Sequence, residues 1–398
     1  MVNIAVASEP ALGDRNNASN LVKSPSTKVS PSKTKSPGDK MPKKVVQNVY
    51  DKWSSVEMEP GIHCNSFCRE GNQLISTPVA APEVKTSWDV FLHGLKLAAD
   101  GNCLGWRKDD SYEWWSYQQV HGRIRQLAGA LKTKTDLQRQ QFVGIYAASS
   151  PQWIVCSLAA NSRSLVNVPL YDTLGAESCS YIINQTEMQL MFIDSEVAAG
   201  RVLDGAKDTP SLKKIVCFAE DISEEIIEKA KSNDISLIKL SEFISNCENM
   251  DDSVFDAPTN EDIAMIQYTS GTTGFPKGVI QTHRSYVANF TGCDYPFSAK
   301  IDPLFNISPK DCALLFLPLA HAYAQIVCTW FLFQGASIGF FGGNVLKLFE
   351  DATILKPTFI PSKNSTFILF ASPSKSLPFS GSSSYESFIW QSERRSWH

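Results

Sequence analysis

The residues with the clearest chemical potential stand in one run: Thr269-Ser270-Gly271-Thr272-Thr273-Gly274-Phe275-Pro276-Lys277-Gly278. Its three glycines let the backbone approach a ligand closely and take positive φ. Consecutive N–H groups in such a turn make an anion-binding concavity. Thr269, Ser270, Thr272 and Thr273 add hydroxyl donors, and Lys277 adds a point charge suited to a phosphate. The chemistry implied is a polyphosphate cradle. The plainer alternative is a turn between strands, where Gly, Ser and Thr are common anyway. Ten consecutive residues of this composition, between Ile263–Tyr268 and Val279–Thr282, favour the cradle. The run is not a Walker loop: Gly271 to Lys277 has the wrong spacing, and Gly278 stands where Ser or Thr would hold Mg²⁺. No Gly-x-Gly-x-x-Gly occurs, which argues against dinucleotide oxidoreductases.

His321 is the second candidate. It follows Leu314-Leu315-Phe316-Leu317-Pro318, a strand-like run, and so is expected at a strand's end, where α/β sheets collect ligands. The alternative is a satisfied core histidine on a helix over 322–333. Weaker groupings are His63-Cys64 with Cys68, which lack a second cluster to complete a tetrahedral metal site, and Asp221, Glu224, Glu225 and Glu228, which read as a solvated helix face.

These candidates need elements to hold them. Trp88, Phe91, Leu92 and Leu95 fall at helical spacing. Ser116 with Gln119 is a capping-box start, continued by an apolar face of Val120, Ile124, Leu127 and Leu131. Ser150-Pro151 opens another helix, and 223–231 a further one. Strand-like runs cover 142–146, 165–168, 190–193, 215–218 and 235–240. Short strands alternating with helices predict parallel sheets covered on both faces. The apolar stretch 313–341 is interrupted by Pro318, His321, Gln325, Gln334 and Gly335, and is expected to be buried core rather than a membrane span. Its Trp330-Phe331-Leu332-Phe333 is an apolar helix stripe, which is more often core than ligand wall.

Composition sets the frame. A chain of 398 residues suggests two or three domains of roughly 150 residues each. With 43% hydrophobic and 20% charged residues it has the make-up of a globular protein with a sizeable core. Its 37 basic residues against 41 acidic ones argue against a nucleic-acid partner. Ten cysteines without a Cys-x-x-Cys pair read as reduced thiols of an intracellular protein. Residues 1–44 hold five prolines, no aromatics, and seven Lys and one Arg against three acids. That segment is expected to be a disordered basic tail, solvated or weakly drawn to an anionic membrane surface. From about 361 the chain becomes Ser-rich with aperiodic aromatics, and 361–398 is expected to be a tail foreign to the preceding fold.

Tyr268 to Gly278 resembles the phosphate-binding signature of the adenylate-forming, AMP-binding superfamily. Val168-Pro169-Leu170-Tyr171-Asp172-Thr173-Leu174-Gly175, Leu317-Pro318-Leu319-Ala320-His321, Gly339-Phe340-Phe341-Gly342-Gly343, Leu355-Lys356-Pro357-Thr358 and Cys103-Leu104-Gly105-Trp106-Arg107 narrow the resemblance to long-chain fatty-acyl-CoA synthetases. It covers roughly residues 45 to 360, an expected partial AMP-binding domain. After the histidine the sequence keeps an aromatic, Tyr323, but lacks the family's acidic-basic pair.

The resemblance implies an α/β fold, the large N-terminal domain of the adenylate-forming architecture with stacked sheets flanked by helices, truncated and with disordered termini. It implies a two-step ligation using ATP, Mg²⁺ and coenzyme A: a long-chain fatty acid is adenylated, then transferred to the thiol. Thr269, Ser270, Gly271, Thr272, Thr273 and Gly274 would hold the outer phosphates and Lys277 would help neutralise them. His321 would lie beside the acyl carboxylate and α-phosphate as a hydrogen-bond donor. The expected location is cytoplasmic, peripheral on the endoplasmic reticulum or outer mitochondrial membrane, without an obligate protein partner. The family's adenine and ribose motifs, its Mg²⁺-binding Glu and its adenylation lysine have no counterpart in 361–398. A non-catalytic isoform or gene-model fragment that at most binds ligand is therefore the alternative, and another acyl- or aryl-adenylating enzyme the third reading.

Overall fold

The computed structural model describes residues 55–59, 62–65, 69–70, 73–269, 276–298 and 307–361. The expected basic tail, 1–44, and the Ser-rich tail beyond Pro361 lie outside the described residues. Two short antiparallel ribbons come first, β1 (Ser55–Glu59) with β2 (Ile62–Asn65), and β3 (Arg69–Glu70) with β4 (Gln73–Leu74). Helix α1 (Ser87–Ala98) starts at Thr86, whose side chain accepts from the Asp89 N–H while Asp89 answers with its carboxylate. A hairpin of β5 (Asn102–Lys108) and β6 (Ser111–Ser116) runs into α2 (Tyr117–Lys134), capped by Ser116 and Gln119 as the sequence predicts.

Then the alternation begins: β7 (Phe142–Tyr146), α3 (Pro151–Asn161), β8 (Val166–Leu170), α4 (Ala176–Thr186), β9 (Leu190–Ile193), α5 (Glu196–Asp204), β10 (Lys214–Cys217), α6 (Glu224–Ser232), β11 (Ser236–Lys239) and the short α7 (Leu240–Ile244). After a longer connection come β12 (Ile263–Thr269), β13 (Lys277–Thr282), α8 (His283–Ser298), β14 (Cys312–Leu315), α9 (Ala322–Phe333), β15 (Ser337–Phe340) and α10 (Leu348–Leu355).

The strands form two main sheets. One has seven strands in the order β11-β10-β9-β7-β8-β12-β13, parallel except for β13, which runs antiparallel to β12. The other has the order β14-β15-β5-β6, with β5 and β6 antiparallel and the rest parallel. Ala313 of β14 is also bridged in parallel to Phe359, so the chain returns to that edge.

The predicted parallel sheets thus carry one antiparallel edge each. The strand expected over 235–240 ends at Lys239, and Leu240 opens α7 instead, because an apolar residue at a boundary suits strand and helix alike. The apolar stretch 313–341 is buried as β14, α9 and β15. The core draws Phe91 of α1, Leu104 of β5, Tyr117 and Ile124 of α2, Trp153 of α3 and Phe331 of α9 into one cluster. Where α1 crosses α9 a glycine is required: a Cβ on Gly94 would lie 1.9 Å from the Leu332 carbonyl oxygen. Among the described residues no helix is long and apolar enough to cross a membrane.

Candidate functional site

β12 and β13 are the two arms of the cradle segment. Of the candidate residues, Ser270, Gly271, Thr272, Thr273 and Gly274 lie outside the described residues, whereas Thr269, Lys277 and His321 lie within them. The register places Thr269 directly opposite Lys277 at the mouth of the hairpin. The Thr269 hydroxyl donates to the Lys277 carbonyl at 3.4 Å, and both side chains are exposed. Strand alternation puts Thr269, Gln267 and Met265 on one face with Lys277, Val279 and Gln281. The opposite face carries Tyr268, whose hydroxyl donates to Gln185 Oε1 of α4 at 2.6 Å, and Gly278 beneath the ring. Burial raises the Tyr268 hydroxyl's pKa, so it stays a neutral donor.

His321 ends the turn between β14 and α9. It is the N-cap of α9: its Nδ1 accepts the Tyr323 N–H at 3.2 Å. A ring nitrogen that accepts a backbone N–H carries no proton, so the neutral imidazole bears its proton on Nε2, a donor. The residue is half-buried, neither a core histidine nor a loose surface one. The histidine thus follows the strand β14 and caps the helix over 322–333, rather than lying in the core on that helix.

The turn itself is wired down. The Ser149 hydroxyl donates to the Leu317 carbonyl (2.9 Å) and accepts the Leu319 N–H (2.8 Å). Gln325 of α9 donates to the Leu319 carbonyl at 2.6 Å. Gln267 of β12 donates from Nε2 to the Ala320 carbonyl at 3.3 Å, while its Oε1 accepts from Gln281 Nε2 at 2.8 Å. Because Gln267 shares a face with Thr269 and Lys277, the His321 turn packs against that face of the hairpin. Gln267 and Gln281 were not singled out in the sequence. The available signal was Gln267 itself, an amide in an otherwise apolar strand, which needs a partner when buried.

A recess lies elsewhere on the seven-stranded sheet. β7 sits between β8, which follows it in the chain, and β9, so chain order reverses there. Open α/β sheets gather ligands outside the carboxyl ends of strands at such a reversal. A recess of about 370 Å³ is lined there by Tyr146, Asp172, Asp194, Ser195 and Arg201. Arg201 Nη1 donates to the Asp172 carbonyl at 2.8 Å and to the Tyr146 hydroxyl at 3.3 Å. Among the described residues no group of three or more His, Cys, Asp or Glu stands ready to hold a metal ion. Cys103, Cys156, Cys179, Cys217, Cys247, Cys312 and Cys328 are in no disulfide, and burial pushes the Cys179 and Cys312 thiols up to about 11, which leaves them protonated.

Comparison with known proteins bears on the family and the fold. The model of the AMP-binding enzyme family matches residues 97–388. Long-chain-fatty-acid–CoA ligase 5 of Rattus norvegicus is 35% identical over 315 residues, which are 77% of this chain and 44% of that one. Long-chain-fatty-acid–CoA ligase 1 of Cavia porcellus is 36% identical over 285 residues, 70% of this chain and 40% of that one. The chain thus spans about two fifths of the length of these curated relatives. In fold it resembles the A domain of a carboxylic acid reductase from Segniliparus rugosus, solved with AMP and a co-purified carboxylic acid. That likeness has a TM-score of 0.61 at 18% identity and covers 71% of this chain and 50% of that one.

Proposed function

This chain belongs to the AMP-binding enzyme family, and on that premise we propose that it serves ATP-dependent ligation of a long-chain fatty acid to coenzyme A. The relatives that bear the name of that activity support the choice of substrate. The observation that carries the reading is the shared face: Lys277 opposite Thr269, with the His321 turn held to the same side through Gln267.

The chemistry asks two anions to meet. A carboxylate oxygen bonds to the α-phosphorus as the bond from that phosphorus to the bridging oxygen breaks, and pyrophosphate leaves. Lys277 and the hydroxyl and N–H donors of 269–274 offset the charge of the outer phosphates. The Nε2–H of His321 donates to oxygen where carboxylate and α-phosphate approach. Donors held in place before charge develops lower a barrier most, because they need no reorganisation during the step. In the second half the CoA sulfur bonds to the acyl carbon and AMP departs. Mg²⁺ would arrive bound to ATP and help offset the charge of its phosphates.

ATP–pyrophosphate exchange with a panel of acids of different chain length tests the reading. Exchange that needs a long-chain acid and falls by about 100-fold in Lys277→Ala is the expected result. No exchange at high protein concentration, or exchange indifferent to Lys277→Ala, overturns it in favour of a ligand-binding chain without catalysis. Preference for short or aromatic acids would reassign the substrate. The proposal includes a cytoplasmic location at the surface of the endoplasmic reticulum or outer mitochondrial membrane, resting on the excess of basic residues in 1–44.

A further inference from the structure

We propose that Gln267 is a positioning residue, which acts through the Ala320 carbonyl to hold His321 in register with Lys277 and Thr269. The inference rests on the adenylating reading above and deepens it, by naming what sets the distance between the two halves of the site.

The two halves belong to different sheets. Thr269 and Lys277 stand on β12 and β13 of the seven-stranded sheet, and His321 follows β14 of the four-stranded one. No shared strand ladder fixes one to the other. Three side chains hold the carbonyls of the turn before His321: Ser149 on Leu317, Gln325 on Leu319 and Gln267 on Ala320. Ser149 precedes α3 and Gln325 belongs to α9, so only Gln267 of the three comes from the hairpin that carries the cradle.

Its amide has one workable orientation. Oε1 is taken by the Gln281 amide, so Nε2 faces Ala320. The side chain is 6% exposed, so water does not readily replace either bond. Gln325 is braced in turn, because its Oε1 accepts from the Tyr286 hydroxyl at 3.0 Å. Tyr286 lies on α8, which follows the hairpin directly, so a second and longer path ties the same two parts. A buried amide pair at this junction costs desolvation and offers little packing that a Met could not. Its distinctive contribution is geometry: two directional bonds that place one backbone carbonyl, and the histidine after it, relative to the hairpin.

The test is a double-mutant cycle in ATP–pyrophosphate exchange with a long-chain acid, on the 398-residue chain. Gln267→Met keeps volume and removes both bonds. It is expected to lower the exchange rate at saturating ATP by about 10- to 100-fold with little change in the KM for ATP. In the His321→Ala background the same substitution is expected to have almost no further effect, since a residue acting through His321 has nothing left to position. Gln281→Met, which leaves the buried Gln267 Oε1 without its donor and frees that amide to turn, is expected to give a smaller loss of the same kind. Equal losses with and without His321 would overturn the inference, as would a raised KM at unchanged maximal rate. So would normal exchange in Gln267→Met while His321→Ala is impaired, a pattern that leaves the adenylating reading standing. Absence of exchange in the unaltered chain would remove that reading, and this inference with it.

Discussion

His321 and His283 show how one residue type is put to opposite uses by its surroundings. His321 caps a helix from a half-exposed turn, and the backbone N–H on its Nδ1 leaves Nε2 to carry the proton. His283, the first residue of α8, is fully buried; the Ser87 N–H donates to its Nδ1 at 3.2 Å, and its Nε2 meets no acceptor among the described residues. Burial holds its pKa down to about 4, with the Asp262 charge opposing only in part. A depressed folded pKa means that the unfolded chain binds the proton more readily. The stabilisation is therefore complete above the ordinary value of about 6.5 and is lost as pH falls from there through about 4. Unfolding by urea at pH 7.5 and pH 4.5 checks this. We expect His283→Asn, whose Oδ1 can accept the same N–H, to lose about 2 kcal/mol less stability between those values than the unaltered chain. Parallel losses in the two proteins would contradict it.

At the scale of elements, the crossing of α1 and α9 governs where His321 stands, because α9 begins at that residue. Gly94 lets the Leu332 carbonyl approach, and the Tyr117 hydroxyl donates to the Ala336 carbonyl at 2.7 Å just beyond. Gly94→Ala pushes the two helices apart at this point. It is expected to destabilise by about 3 kcal/mol, read as a lowered urea midpoint, and to lower exchange more than stability alone accounts for. A smaller element shows the same logic of fit. Asp351 of α10 is buried and accepts from Arg107 Nη1 of β5 at 2.8 Å and from the Gly342 N–H at 2.9 Å. α10 is thereby tied to the four-stranded sheet by directional bonds. Helix caps such as Ser116 with Gln119 and Ser150 with Pro151 were legible beforehand, since a cap is a local contact between residues three positions apart. The β5–β6 hairpin was not, because aromatic and mixed-polarity strands carry little of the apolar signal that marks a buried parallel strand.

For the whole molecule, the described surface has one conspicuous apolar knuckle. Leu346 is 93% exposed and Phe349 68%, with Val345 beside them, at the start of α10. Large apolar groups gathered in water favour association. We expect the chain to self-associate with rising concentration in sedimentation velocity runs, and Leu346→Ser with Phe349→Ser together to shift it toward monomer. Unchanged sedimentation would show that the knuckle is inert.

What the linear sequence determined was chemistry and local form. The run from Thr269 to Gly278, the histidine after an apolar strand, the alternating short strands and the helix starts are all set by neighbours within about ten positions. What only the tertiary structure decided was the meeting of parts. That Lys277 and His321 share one side of a hairpin, that Gln267 and Ala320 touch across 53 positions, and that chain order reverses beside Arg201 depend on how two sheets pack. Local pattern records which face of an element is apolar. It does not record which other element will cover that face, since burial rewards any partner of suitable shape, and long-range contacts select among them only once the chain has folded.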